Sequence, residues 1–221
     1  DGTTSSELDP TKTVVGVVFS TSNPSQMGDP KLAADYPDCT HGYVVSLVEY
    51  AEQDFGAVSA YNGHSYYNGL GYDANAIVDQ DKANGYGNTL AHKEMNKSRA
   101  DYCTMFNETD GVVATHSGSV HTPSGASSWY VPSYKEMQMI VEGASEINAA
   151  LAAAGGDAIA EPVADDTDHS DNYWTSTIHG SWYEKGKSYD HSKYPFDISR
   201  NGWTATVQAN GKFSVRVVLV F

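Results

Sequence analysis

The sequence predicts an α+β fold: two main helices flanking a twisted, mostly antiparallel sheet, with the first and last strands paired. Three observations lead there. Short β-branched apolar runs stand at both ends, Val14–Phe19 and Phe213–Phe221. A capping box, Ser133 followed three residues later by Glu136, opens a stretch of helical period. After that stretch the chain returns to strand-like segments, the last of them preceded by Asn210-Gly211, a tight-turn pair.

Taken in order, Val14-Val15-Gly16-Val17-Val18-Phe19 reads as a buried strand and His41–Val48 as a second, separated by a loop with Pro24, Gly28, Pro30 and Pro37. Residues 56–88 are rich in Gly, Asn, Tyr and Asp and read as a long structured loop. Residues 89–106 read as a helix capped by Asn88 or Thr89, with Leu90, Met95, Ala100, Cys103 and Phe106 as its apolar stripe. Residues 107–127 read as another loop.

The aromatic strand Trp129-Tyr130-Val131 stops at Pro132. Met137, Ile140, Val141, Ala144, Ile147 and Leu151 then recur at helical spacing, split at Gly143 and ended by Gly155-Gly156. Tyr173–Thr177 is a strand, and Trp203–Val207 forms a hairpin with Phe213–Phe221. Along the last strand Phe213, Val215, Val217, Leu219 and Phe221 share one face. Val218 and Val220 on the other indicate that both faces are covered. The final strand needs a partner, and Val14–Phe19 is the natural one.

Composition narrows the function classes. The 221 residues carry a formal net charge of −15, which repels nucleic acid and anionic membrane surfaces. No apolar run reaches the length of a membrane span and no signal peptide is recognisable. Residues 1–12 read as a polar tether and 13–221 as one domain. Cys39 and Cys103 are the only cysteines; two separate thiols, with Cys103 at least partly buried, is the preferred reading over a bridge.

Three segments carry a family resemblance. Trp129–Met137 resembles a "W-x-L-P-[ST]-x-x-E-L" signature, Tyr173–Thr177 a "YWSST" strand, and Phe213–Val218 a closing "V-R-x-V" strand. Their order and spacing resemble the C-terminal domain of collagen-like adhesins, the Lcl type, over about residues 14–221. Val131 and Met137 stand where that pattern has Leu. The resemblance implies a C-type lectin-like fold, related to formylglycine-generating enzymes. It also implies a secreted or surface-anchored, pilus-associated domain found beside fimbrillin-like modules.

Chemistry is sparse. Formylglycine generation needs a late cysteine pair, and no cysteine follows Trp129. No Gly-x-Ser-x-Gly elbow is present. The eight histidines read mostly as solvent-facing loop residues; His41 reads as a hydrogen-bonder at a strand start. No enzyme activity is expected. The acidic run Asp165-Asp166-Thr167-Asp168-His169-Ser170-Asp171 suits Ca²⁺ by ligand type, yet lacks the EF-hand glycine and glutamate. Glu161-Pro162-Val163 only partly echoes a lectin calcium motif. No cofactor is therefore expected, with Ca²⁺ as the alternative, and no histidine pair has the spacing for zinc.

Recognition is expected from the aromatic loop residues His179, Trp182, Tyr183, Tyr189 and Tyr194, since aromatic rings stack on sugar C–H faces and anchor protein contacts. Trp129 and Trp174 are assigned to the core. The partner is then a glycan, or a host or neighbouring surface protein, at the cell surface. The alternative is a structural subunit of a surface appendage with no glycan site.

Overall fold

The computed structural model describes residues 2–55, 79–98, 103–160, 172–178 and 212–221, and the backbone of short strands at 183–184, 187–188 and 193–196. Mixed α and β structure is observed, with mostly antiparallel strand pairs and helices packed on them.

The first sheet joins β1 (Gly16–Ser20), β2 (Tyr43–Ser46) and β9 (Val218–Val220), with β2 in the middle. Val45 faces Val17 on one side and Val218 on the other. The expected pairing of the first and last strands is thus corrected: they lie in one sheet but flank β2. Burial explains the order. All four residues of β2 are buried, as a central strand requires, whereas every residue of β1 is only half-buried. Gly42, just before β2, passes so close to Ser20 that a Cβ there would stand 2.3 Å from its carbonyl oxygen. The far edge of β9 is closed by Tyr130, which exchanges both backbone bonds with Val218 at 2.9 Å.

The second sheet runs β3 (Tyr50–Asp54), β8 (Lys212–Val215), β4 (Tyr173–Ile178), β7 (Lys193–Phe196). Its β4–β8 pair is parallel, at Tyr173 and Ser214. Phe213–Phe221 is therefore not one strand. It breaks at Arg216-Val217 and serves both sheets, because Arg216 is drawn inward. The Arg216 side chain has no exposed surface, and its five N–H donors meet five acceptors. Nε donates to Glu49 Oε2 at 3.3 Å, Nη1 to the carbonyls of Ser46 and Leu47, and Nη2 to those of Asp157 and Ala158. Glu49 is held in turn by the hydroxyls of Tyr173 and Ser214. The expected alternation survives the break. Phe213, Val215, Val217 and Leu219 enter one core, while Val218 and Val220 enter the other.

Five α-helices occur among the described residues, where two main ones were expected: α1 (Pro30–Asp35), α2 (Gly85–Ser98), α3 (Val112–Ser119), α4 (Tyr134–Glu142) and α5 (Ala144–Ala154). Helix α2 starts at Gly85, so Asn88 and Thr89 lie inside it instead of capping it. Thr89 instead holds Val131, accepting from its N–H at 3.0 Å and donating to its carbonyl. The predicted continuation of α2 gives way to a 3₁₀ turn at Thr104–Phe106. Helix α3 replaces part of a predicted loop; Val112, Val113 and His116 bury its inner side, a signal too short to stand out among Ser, Thr and Gly. The capping box at Ser133 and Glu136, the split at Gly143 and the left-handed cap at Gly155 (φ 74°) are as the sequence indicates.

Two cores lie on opposite faces of the first sheet. One gathers Trp129, Trp174, Phe55 and Phe106, so both tryptophans assigned to the core are there. The other lies under α4 and α5. Cys39 and Cys103 are buried and are not joined in a disulfide. No described helix is long and apolar enough to cross a membrane. The Trp203–Val207 strand lies outside the described residues.

Candidate functional site

Strand β4 is the base of the predicted recognition loops. All six of its residues are buried. Its end is tied from two sides. Ser176 donates from its N–H and its hydroxyl to the Pro132 carbonyl, at 2.8 and 3.1 Å. Thr177 Oγ1 accepts from the Tyr134 N–H at 2.9 Å, and His92 of α2 meets the Ser176 carbonyl through Nε2 at 2.9 Å. Trp174 Nε1 donates to the Gln53 carbonyl at 2.7 Å.

The chain leaves β4 after Ile178 and returns in β7, where Lys193 faces Ile178, Pro195 faces Trp174 and Phe196 faces Tyr173. Residues 179–192 are thus an excursion whose two ends meet across one strand pair. Inside it, β5 (Tyr183–Glu184) pairs with β6 (Lys187–Ser188) as a ribbon. The backbone of Tyr183 lies in that ribbon and that of Tyr194 in β7. His179, Trp182 and Tyr189 lie outside the described residues, as do the acidic run at 165–171 and Glu161-Pro162-Val163. Among the described residues no three His, Cys, Asp or Glu side chains gather as a metal site.

Two of the eight histidines are fully buried on helices: His92, in a segment whose sequence reads as helical, and His116, expected in a solvent-facing loop. On α2, His92 contacts Cys103 Sγ through Nδ1 at 3.5 Å and stacks on Phe106 at 4.3 Å. A carbonyl can only accept, so the Ser176 contact places the proton on Nε2 and leaves Nδ1 to accept from the thiol. The pair has the form of an activated nucleophile, but neither side chain has exposed surface. His116 on α3 meets the Tyr50 hydroxyl through Nδ1 at 3.0 Å and packs edge-on to Trp129 at 4.4 Å. Burial lowers its pKa to about 4. His116 Nε2 and Trp129 Nε1 are buried without a hydrogen-bond partner. His41 remains exposed, donating its backbone N–H to the Phe221 carbonyl and stacking on that ring.

The capping box does more than its spacing implies. Glu136 has no exposed surface. Oε2 accepts from the Ser133 N–H at 2.6 Å and from the Gly85 N–H, the start of α2, at 3.1 Å. Oε1 accepts from the Tyr130 hydroxyl at 2.8 Å. Asp29, also buried, caps α1 at Lys31 and Leu32 and accepts from the Gly87 N–H at 2.8 Å. Two carboxylates from elsewhere in the chain thus satisfy two of the orphan donors of one helix start, the N–H groups of Gly85 and Gly87. Sequence spacing could show the Ser133–Glu136 half of this arrangement; Gly85, fifty-one residues away, gives no local signal.

No protein-family model matches the chain, and no curated protein does. A solved structure does: a fimbrial protein from Bacteroides ovatus ATCC 8483, determined at 1.85 Å resolution. It superposes with a TM-score of 0.67 at 18% identity over 94% of this chain. The match covers 44% of that protein, so this chain spans less than half its length. At that identity the likeness shows a shared fold.

Proposed function

We propose that this chain is a non-enzymatic, pilus-associated domain of the cell surface that recognises a glycan or a surface protein through the excursion at 179–192 and the adjoining Tyr194. The observation that carries the proposal is the fold shared with a fimbrial protein over 94% of the chain. The Lcl-type resemblance and its C-type lectin-like fold belong to the same reading, through Trp129–Met137, Tyr173–Thr177 and Phe213–Val218. A buried strand with a tied end supports an aromatic loop well, because the scaffold loses little freedom when the loop takes a ligand. His179, Trp182, Tyr183, Tyr189 and Tyr194 supply the contacts. The acidic run at 165–171 would add Ca²⁺ to this reading only if a bound ion raised the melting temperature.

A glycan array probed with the purified domain tests the recognition step. Binding that is lost in Trp182→Ala and Tyr183→Ala supports it. Equal binding by wild type and both variants removes those residues from the site.

A structural subunit without a glycan site is the second reading, and the same fold likeness favours it. An array on which the wild type binds nothing, together with stable co-purification with another appendage subunit, selects it.

A further inference from the structure

We propose that Glu136 is a proton-operated latch whose state is transmitted to the base of the 179–192 excursion. The functional consequence rests on the recognition reading above; the latch itself does not.

The geometry is unusual in what it lacks. Glu136 is fully buried and takes three donors, the N–H groups of Ser133 and Gly85 and the Tyr130 hydroxyl. No described cation pairs with it; the nearby Lys82 is turned to Asp79 at 3.2 Å. The titratable groups facing it are Asp29 from the start of α1, Tyr130 from the segment before α4, and Tyr43 from β2. Asp29 is a second buried carboxylate on the same helix start, and the Tyr43 hydroxyl is buried without a partner. The ionised form of Glu136 is therefore held by two backbone N–H donors, one of them at a helix start, and by one tyrosine hydroxyl, against burial and a like charge.

A proton has one place to go. Oε2 already accepts twice, so protonation falls on Oε1, and the Tyr130 hydroxyl must turn from donor to acceptor. Burial and Asp29 together raise the Glu136 pKa to about 7. The latched form consequently holds its proton more tightly than an opened form exposed to water, and rising pH favours opening.

The mechanical path is short. The two segments that Glu136 joins are the Pro132–Tyr134 corner and the start of α2. These same two elements hold the end of β4: Pro132 and Tyr134 bind Ser176 and Thr177, and His92 of α2 binds Ser176. Loosening the latch loosens both supports of the strand from which the excursion departs.

Hydrogen exchange on the whole chain tests the latch without any ligand, so its outcome is independent of the glycan array. After correction for intrinsic rates, amides of 85–89 and 173–178 should lose protection on the order of tenfold from about pH 5 to about pH 8. The midpoint should lie near 7, and Glu136→Gln should abolish the change. Tyr130→Phe, which removes a donor to the carboxylate, should move the midpoint upward. The same pH profile in Glu136→Gln, or a change confined to 85–89, would overturn the proposal. So would an unmoved midpoint in Tyr130→Phe, which decides the matter if Glu136→Gln fails to fold.

Discussion

Glu136 Oε2 stands 3.1 Å from the backbone nitrogen of Gly85, and a Cβ on Gly85 would approach the same oxygen to 2.3 Å. The close approach is what lets one carboxylate cap two segments at once. It also makes Gly85 a position where a methyl group has nowhere to go, since Ser133 N and the Val131 carbonyl oxygen stand at 2.6 and 2.7 Å.

Gly85→Ala should therefore destabilise the domain by about 1–3 kcal/mol, the usual cost of forcing extra volume into a packed site. Gly118→Ala is the control, because nothing lies within 4 Å of its Cβ position in α3. There the alanine should stabilise by about 0.5 kcal/mol through lost freedom of the unfolded chain. Urea unfolding of the two variants checks both signs.

Arg216→Met should cost about 3–5 kcal/mol, because a fully buried side chain loses five hydrogen bonds, one of them to the half-buried Glu49. Four carbonyls and Glu49 lose their donors together. Arg216→Lys should rescue little, since an ammonium has three donors and no planar fork. Denaturant midpoints of the two variants decide this.

Stability should fall on both sides of mildly acidic pH. His116 has a folded pKa of about 4, below its usual value of 6.5, so its contribution is complete above 6.5 and is lost as pH falls toward 4. Glu136 has a folded pKa of about 7, above its usual 4.5. Its proton stabilises the fold fully below 4.5, and that stabilisation is lost as pH rises through 7. Melting temperatures across pH should show the acid limb shrink in His116→Gln and the neutral limb shrink in Glu136→Gln.

Both thiols should resist a polar alkylating reagent in the folded protein and react once it is unfolded, because Cys39 is 3% exposed and Cys103 not at all. Reductant should leave the melting temperature unchanged. Mass spectrometry before and after denaturation reads the first result, and thermal unfolding with and without reductant the second.

Local signals in the sequence were legible where the structure is local. Ser133 and Glu136 are three residues apart, Gly143 and Gly155 sit at helix ends, and Val217 and Val218 alternate faces as their spacing requires. What carries no local signal is long-range. Nothing near Val14–Phe19 says that β2 will come between it and β9; only the full burial of Tyr43–Ser46 on both faces decides that order. Arg216 looked like one residue of a closing strand, yet its acceptors lie at 46–49 and 157–158, and meeting them breaks the strand. Of the residues proposed for recognition, Tyr183 and Tyr194 have their backbones paired, in the β5–β6 ribbon and in β7 against β4.

The central claim is a pilus-associated surface domain, and immunogold electron microscopy of intact cells that make the protein tests it most directly. With antibody raised against the folded domain, gold should lie on the cell surface and on its appendages, and should vanish when the gene is deleted. Label confined to the cell interior, with bare appendages, would contradict the account.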